Sequence, residues 1–189
     1  FEVTPLILTP SRLRDLHSNL LLFFTGVSRT ASDIAGDKIK SIPQKLEELR
    51  RMQQMVGDAE KILCTNQDIN LFGELLHEGW MLKRQISSKI SPGFVDDIYA
   101  RARAAGAVGG KLLGAGGGGF MLFFVKPEDK FKVCDALKDL LLVPFEFDMS
   151  GSQIIFHDHL QYSQMAMTRR DYVHLRNQHI DDSEPLNRQ

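Results

Sequence analysis

The chain reads as an α+β domain of two layers, with helices packed on one face of a mostly antiparallel sheet. Helical and strand-like segments alternate along it without equal spacing and without an internal repeat. Apolar residues recur at helical spacing in several long stretches. Two runs, Leu20–Phe24 and Phe120–Val125, are continuously apolar and of a length that suits buried strands.

Each element has its own signal. A first strand is expected over residues 1–8. The chain opens there at Phe1, without a methionine and inside a strand-like run, which reads as a fragment or a processed product. Thr9-Pro10-Ser11 marks the start of a helix carrying Leu13, Leu16 and Leu20. Leu20–Phe24 is the next strand. From Ser41 onward a long helix is expected, with Leu46, Leu49, Met52, Val56, Ala59 and Leu63 as its stripe and Glu47 and Arg51 paired outside it. A second long helix puts Phe72, Leu75, Leu76, Gly79, Leu82 and Ile86 on one face. A third is punctuated at both ends. Ser91 is its N-cap, Pro92 its first residue, Asp96 and Asp97 lie early, Arg101 and Arg103 late, and Gly106 stops it. After the strand Phe120–Val125, a helix begins at Pro127 with Phe131, Cys134, Leu137 and Leu141 on one face. Short strands are expected near 144–148 and 152–156. The folded domain is thus placed at 1–156. From 157 to 189 polar and charged residues dominate, and Asp181-Asp182-Ser183-Glu184-Pro185 reads as loop or disorder, with the pattern of a short helix around 167–177.

Composition narrows the function. The 189 residues are 43% hydrophobic and 25% charged, ordinary values for a globular domain. A formal net charge of −1 gives no global basic field to recruit nucleic acid or an anionic membrane. No apolar run has the length of a membrane span, and no secretory signal pattern is visible at the start. Cys64 and Cys134 have no metal-like spacing and read as buried free thiols in a reducing cytoplasm.

The most informative stretch is Lys111-Leu112-Leu113-Gly114-Ala115-Gly116-Gly117-Gly118-Gly119-Phe120. Five glycines in six positions remove nearly every Cβ, so the backbone can adopt positive φ and bring amides close to a ligand. Successive amides facing one concavity bind anions, phosphate above all. Gly114-x-Gly116-x-x-Gly119 satisfies the dinucleotide fingerprint formally, but a strand follows where that fingerprint needs a helix. The Gly-Lys-Ser/Thr ending of a P-loop is missing as well. Lys111-x-x-Gly114-Ala115-Gly116-x-Gly118-Gly119 resembles instead the third, C-terminal motif of the GHMP kinases, the galactokinase–homoserine kinase–mevalonate kinase superfamily. Thr25-Gly26-Val27-Ser28-Arg29, the segment from Phe72 to Arg84, and Gly106-Ala107-Val108-Gly109-Gly110 resemble the C-terminal half of its heptose 7-phosphate kinases, with fucokinases close behind.

That resemblance implies a ferredoxin-like α+β domain with additional helices, and an ATP- and Mg²⁺-dependent sugar kinase acting on the anomeric hydroxyl of a heptose 7-phosphate. The glycine loop would line the phosphoryl-transfer cleft, through Gly114, Ala115, Gly116, Gly117 and Gly118. In the family the nucleotide loop, Pro-x-x-x-Gly-Leu-x-Ser-Ser-Ala, and the catalytic acid lie in the N-terminal half. The chain contains no such loop, so no catalytic carboxylate is named, and a partner N-terminal half is expected alongside the sugar phosphate and ATP. The alternatives are a kinase for another sugar such as fucose, or a non-catalytic module that binds a metabolite or pairs into a homodimer.

Other candidates carry two readings. Lys111 serves a phosphate as a point charge, or is a solvated lysine at the loop edge. Arg29, with Thr25 and Ser28 after a strand, grips a sugar phosphate through two hydrogen bonds, or pairs with Asp33. Trp80, the single tryptophan, reads better as a core or rim residue than as a sugar-stacking face. His157-x-His159 lacks a third ligand, and His77-Glu78 lacks the second histidine of the zinc-protease pattern, so no metal site is expected.

Overall fold

The computed structural model describes residues 5–27, 42–87 and 90–148. Contacts divide the chain into Phe1–Glu146 and Phe147–Gln189, and of the second unit only Phe147 and Asp148 are described. The expected strand near 152–156, the 156/157 boundary and the tail lie outside the described residues, as do Ser28 and Arg29.

The elements of the first unit are helix α1 (Pro10–Ser18), strand β1 (Leu20–Phe24), helices α2 (Leu46–Cys64), α3 (Asn70–Ile86) and α4 (Gly93–Ala104), strands β2 (Ala107–Leu112) and β3 (Phe120–Val125), helix α5 (Lys130–Ala136) and strand β4 (Leu141–Leu142). The four strands form one antiparallel sheet in the order β2-β3-β1-β4. Mixed helices on an antiparallel sheet are the fold class the sequence predicts.

Strand alternation builds two cores. Leu21 and Phe23 of β1 and Met121, Phe123 and Val125 of β3 join α4 and α5, with Val95, Ile98, Val133 and Leu137. The intervening Leu20, Leu122 and Phe124 join Leu16, Leu63 and Phe72 of α1, α2 and α3. Successive side chains point to opposite faces, so the sheet is covered on both. The helices are not confined to one face: α1 packs on the second core through Leu16, while α2 and α3 reach both, Leu63 and Phe72 joining the second and Trp80 and Ile86 the first. This explains why β3 is apolar without interruption, a pattern of strands buried on both sides.

Several local expectations also change. Residues 5–8 form no strand. Thr9 caps α1, its Oγ1 accepting from the Arg12 amide at 3.2 Å. The buried side of α2 is Met55, Ile62 and Leu63, while Val56 is 68% exposed. Arg51 donates to Glu78 of α3 at 2.6 Å and to Asp58 at 3.0 Å, and Glu47 pairs with Arg50 instead. On α3 the buried residues are Gly73, Trp80 and Ile86. Pro92, not Ser91, caps α4; the Ser91 hydroxyl donates to Asp96 instead. Gly106 ends that helix at φ +111°. Phe131 is 83% exposed on α5, which buries Val133, and Leu137 at its C-cap is buried as well. Among the described residues the last strand is the short β4, and 143–148 has no strand. Both cysteines are free, but Cys64 is exposed and only Cys134 is half-buried, where burial pushes its thiol up.

The strand β2 has no counterpart among the elements expected from the sequence, and Gly109 and Gly110 lie inside it. Their bareness is a packing requirement. A Cβ on Gly109 would stand 1.9 Å from the Gly73 carbonyl oxygen, and one on Gly110 2.6 Å from Leu122 O. A Cβ on Gly73 would in turn meet the Phe124 ring at 2.6 Å. Helix α3 therefore lies backbone against backbone on β2.

Between α3 and α4, His77 Nδ1 and the Tyr99 hydroxyl are 2.7 Å apart, with the rings stacked at 8°. Burial holds the His77 imidazole below its usual range, with the Arg103 charge adding to it, and pushes Tyr99 up to about 12. The unfolded chain takes up a proton at this histidine near pH ~6.5 while the folded chain resists. Stability therefore falls as pH drops from ~6.5 toward the lower folded pKa. The urea midpoint is expected to fall from pH 7.5 to 5.5, and less steeply in His77→Gln. An equal pH slope in the variant would place the titration elsewhere.

Candidate functional site

The glycine run forms the β2–β3 connection, closed by the Leu113 amide donating to Phe120 O at 2.8 Å. It is a strand-to-strand loop and not the helix-to-strand turn expected from sequence. The exclusion of the dinucleotide fold stands, because a strand still follows. Gly114, Gly116, Gly117, Gly118 and Gly119 all have positive φ, between +73° and +151°.

Two neighbouring segments seat the loop. The Gly117 amide donates to Ile90 O at 2.9 Å, and Gly119 donates to Val27 O at 2.7 Å. A Cβ on Gly116 would stand 2.9 Å from Ile90 Cα, and one on Gly118 2.8 Å from Val27 O. The loop is thus wedged between the end of β1 and the turn before α4, with glycine as the only residue that fits. Gly116 and Gly117 are buried in that seat, whereas Gly114 is exposed and Ala115 and Gly118 are half-exposed. The amides of Gly114, Gly116 and Gly118 make no hydrogen bond with described residues. A rigid loop with unspent amides suits anion binding without reorganisation.

The predicted side chains separate. Thr25 is buried; its amide donates to Gly119 O at 2.8 Å, and its Oγ1 accepts from the Gly119 amide at 3.0 Å. It therefore ties the loop to β1 and spends its hydroxyl oxygen on the chain. Lys111 sits on β2 opposite Leu122, on the α2–α3 side of the sheet, and lines a groove there. The cation at the loop entrance is Lys83 of α3, whose Nζ donates to Gly114 O at 2.9 Å and to Leu112 O at 3.3 Å. Sequence reasoning placed Lys83 on this helix but gave it no role. The signal was available only as its position one turn after Trp80 on the helix that lies on β2. Beside the loop's seat, Met81, Arg84, Gln85, Ser91 and Asp96 line a recess of about 440 Å³, with Arg84 paired to Asp96 at 2.9 Å. Trp80 is 1% exposed and belongs to the core.

Among the described residues no three His, Cys, Asp or Glu side chains gather into a metal-holding set. They do not build a Mg²⁺ site by themselves. Among the same residues no helix is long and apolar enough to cross a membrane.

Residues 58–141 match the family model described as GHMP kinases C terminal, and the chain carries that domain. It is similar to D-glycero-alpha-D-manno-heptose 7-phosphate kinase of Campylobacter jejuni subsp. jejuni serotype O:2, at 32% identity over 139 residues, 70% of this chain and 41% of that protein. The bifunctional fucokinase/GDP-fucose pyrophosphorylase of Arabidopsis thaliana is 28% identical over 152 residues, 78% of this chain and 14% of that protein. The crystal structure of a D-glycero-D-manno-heptose 1-phosphate kinase from Bacteriodes thetaiotaomicron superposes with a TM-score of 0.54 at 26% identity, covering 77% of this chain and 38% of that one. The chain therefore spans less than half the length of each relative. It is related to kinases, sugar kinases among them.

Proposed function

We propose that this chain is the C-terminal domain of an ATP- and Mg²⁺-dependent kinase that phosphorylates the anomeric hydroxyl of a heptose 7-phosphate. The observation that carries the reading is the loop of five left-handed glycines, wedged between Ile90 and Val27 with amides to spare. The heptose assignment draws on the names of two relatives, each aligned over at least 70% of this chain.

In this reading the glycine loop offers neutral N–H donors to phosphoryl oxygens, and Lys83 and Thr25 hold it in shape. Phosphoryl transfer depends chiefly on positioning and charge stabilisation. An N-terminal half supplies the nucleotide loop, the carboxylate and the ligands of Mg²⁺. In this reading the enzyme works in the cytoplasm, where it would meet ATP and a sugar phosphate.

The test is coupled ADP release, with heptose 7-phosphate and fucose as acceptors, by this chain alone and by the protein of its whole reading frame. The expected result is turnover with heptose 7-phosphate by the whole protein only. Kinase-rate turnover by this chain alone overturns the division of labour, and a preference for fucose overturns the acceptor. A second reading, a self-pairing module, is favoured by the edge strand β4, whose Leu141 and Leu142 are 64% and 44% exposed. Sedimentation of the chain as a concentration-independent monomer removes it.

A further inference from the structure

We propose that the groove between α2 and α3 is a binding site for a small amphiphile, an apolar chain with an anionic head held by Lys111. The groove has a volume of about 290 Å³, and its walls are almost wholly apolar, including Met52, Met55, Val56, Leu75, Leu76 and Trp80. Val56 is 68% exposed on this wall, although it occupies a stripe position that an ordinary helix pair would bury. Two methionines give the wall a surface that adapts to the shape of a ligand.

Two polar groups at this groove lack counterparts. Lys111 lines it, half-buried, and makes no hydrogen bond or ion pair with described residues. The indole N–H of Trp80, in the same wall, is buried without an acceptor. Buried donors are nearly always satisfied, so an orphan on a residue of the same groove lining as an unpaired ammonium is unusual. Among the described residues no acidic side chain lines the groove, and Glu78 and Asp58 on these helices are both engaged by Arg51. An oxyanion head answers the unmatched charge, and the apolar walls answer a hydrocarbon body. A neutral or cationic apolar ligand would leave Lys111 unpaired. The site lies on the α2–α3 side of the sheet and needs no part of the kinase reading.

Trp80 is the only tryptophan, so its emission reports on the groove directly. The experiment titrates the 189-residue chain with octanoate and, as the neutral counterpart, 1-octanol. Octanoate is expected to give a saturable change in emission and to bind about tenfold more tightly than octanol, the scale of a hydrogen-bonded charge. Lys111→Met, which keeps the aliphatic stem, is expected to remove that advantage and leave octanol binding intact; Lys111→Gln repeats the test if the first variant folds poorly. Ala59→Leu, which fills the groove without adding charge, is expected to abolish both responses while the urea midpoint holds. Absence of a saturable response to millimolar octanoate overturns the proposal. So does a preference for octanoate over octanol that survives in Lys111→Met, or octanoate binding that survives in Ala59→Leu. Emission that depends on protein concentration and ignores octanoate also overturns it, since a second copy of the chain then covers the groove.

Discussion

Gly109→Ala is expected to destabilise the domain by about 3 kcal/mol or more, at the upper end of overpacking effects. The added methyl would stand 1.9 Å from the Gly73 carbonyl oxygen and 2.9 Å from the His77 amide nitrogen. Both are helical backbone atoms of α3, so no flexible side chain can swing aside. To admit the methyl, α3 must lift from β2, carrying Trp80 out of the core and stretching the contact of His77 with Tyr99. Urea unfolding measures this as a lower midpoint at an unchanged slope. Gly57→Ala is the matched control. Gly57 lies inside α2 with nothing within 4 Å of its added Cβ, so the substitution is expected to stabilise by roughly 0.5–1 kcal/mol. A Gly109→Ala midpoint within error of the native one would mean that α3 does not lie on β2 as described.

Gly116→Ala is expected to have the largest effect on the loop. Its φ of +121° lies outside the small left-handed region that other residues visit, and the new Cβ would stand 2.9 Å from Ile90 Cα. The backbone conflict alone costs of order 1–3 kcal/mol. The loop is expected to leave its seat, breaking the bond from the Gly117 amide to Ile90 O, so hydrogen exchange at Gly117 should accelerate. In the complete kinase proposed above, kcat is expected to fall about 100-fold, the scale of a misplaced catalytic element. Gly114→Ala separates geometry from mere loss of a glycine. Gly114 has φ +73° and open space around it, so about 1 kcal/mol is expected there, with Gly117 still protected. Equal exchange at Gly117 in both variants would remove Ile90 as the seat.

Much of this architecture was legible in the chain. The run Phe120–Val125 is too apolar and too short for anything but a buried strand, and the glycine cluster before it can serve only where positive φ is needed. The motif residues around it carried the family. What escaped has a common cause. The strand β2 was invisible because its glycines mimic a loop, and they are there to admit the backbone of α3. The buried side of α2 was misplaced because Met55 packs against Gly79, its Cε 3.2 Å from where a Cβ there would lie. Periodicity alone cannot find such a notch on another helix. Phe131 completed an apolar stripe on α5 and yet is exposed, whereas Val133 and Leu137 are fully buried and Cys134 packs against the core.

The site divides in the same way. Sequence by itself determined that a Cβ-free loop joins the fold at residues 114–119, and which kinase superfamily uses such a loop, because backbone freedom is a local property. Only the tertiary structure decided the partners. It turned Thr25 inward to hold Gly119, brought Lys83 from α3 to the loop carbonyls, and sent Lys111 to the α2–α3 groove. The direction of a side chain on a strand is set by register, and its partner by helices distant in the chain. Neither is written in the residues next to it.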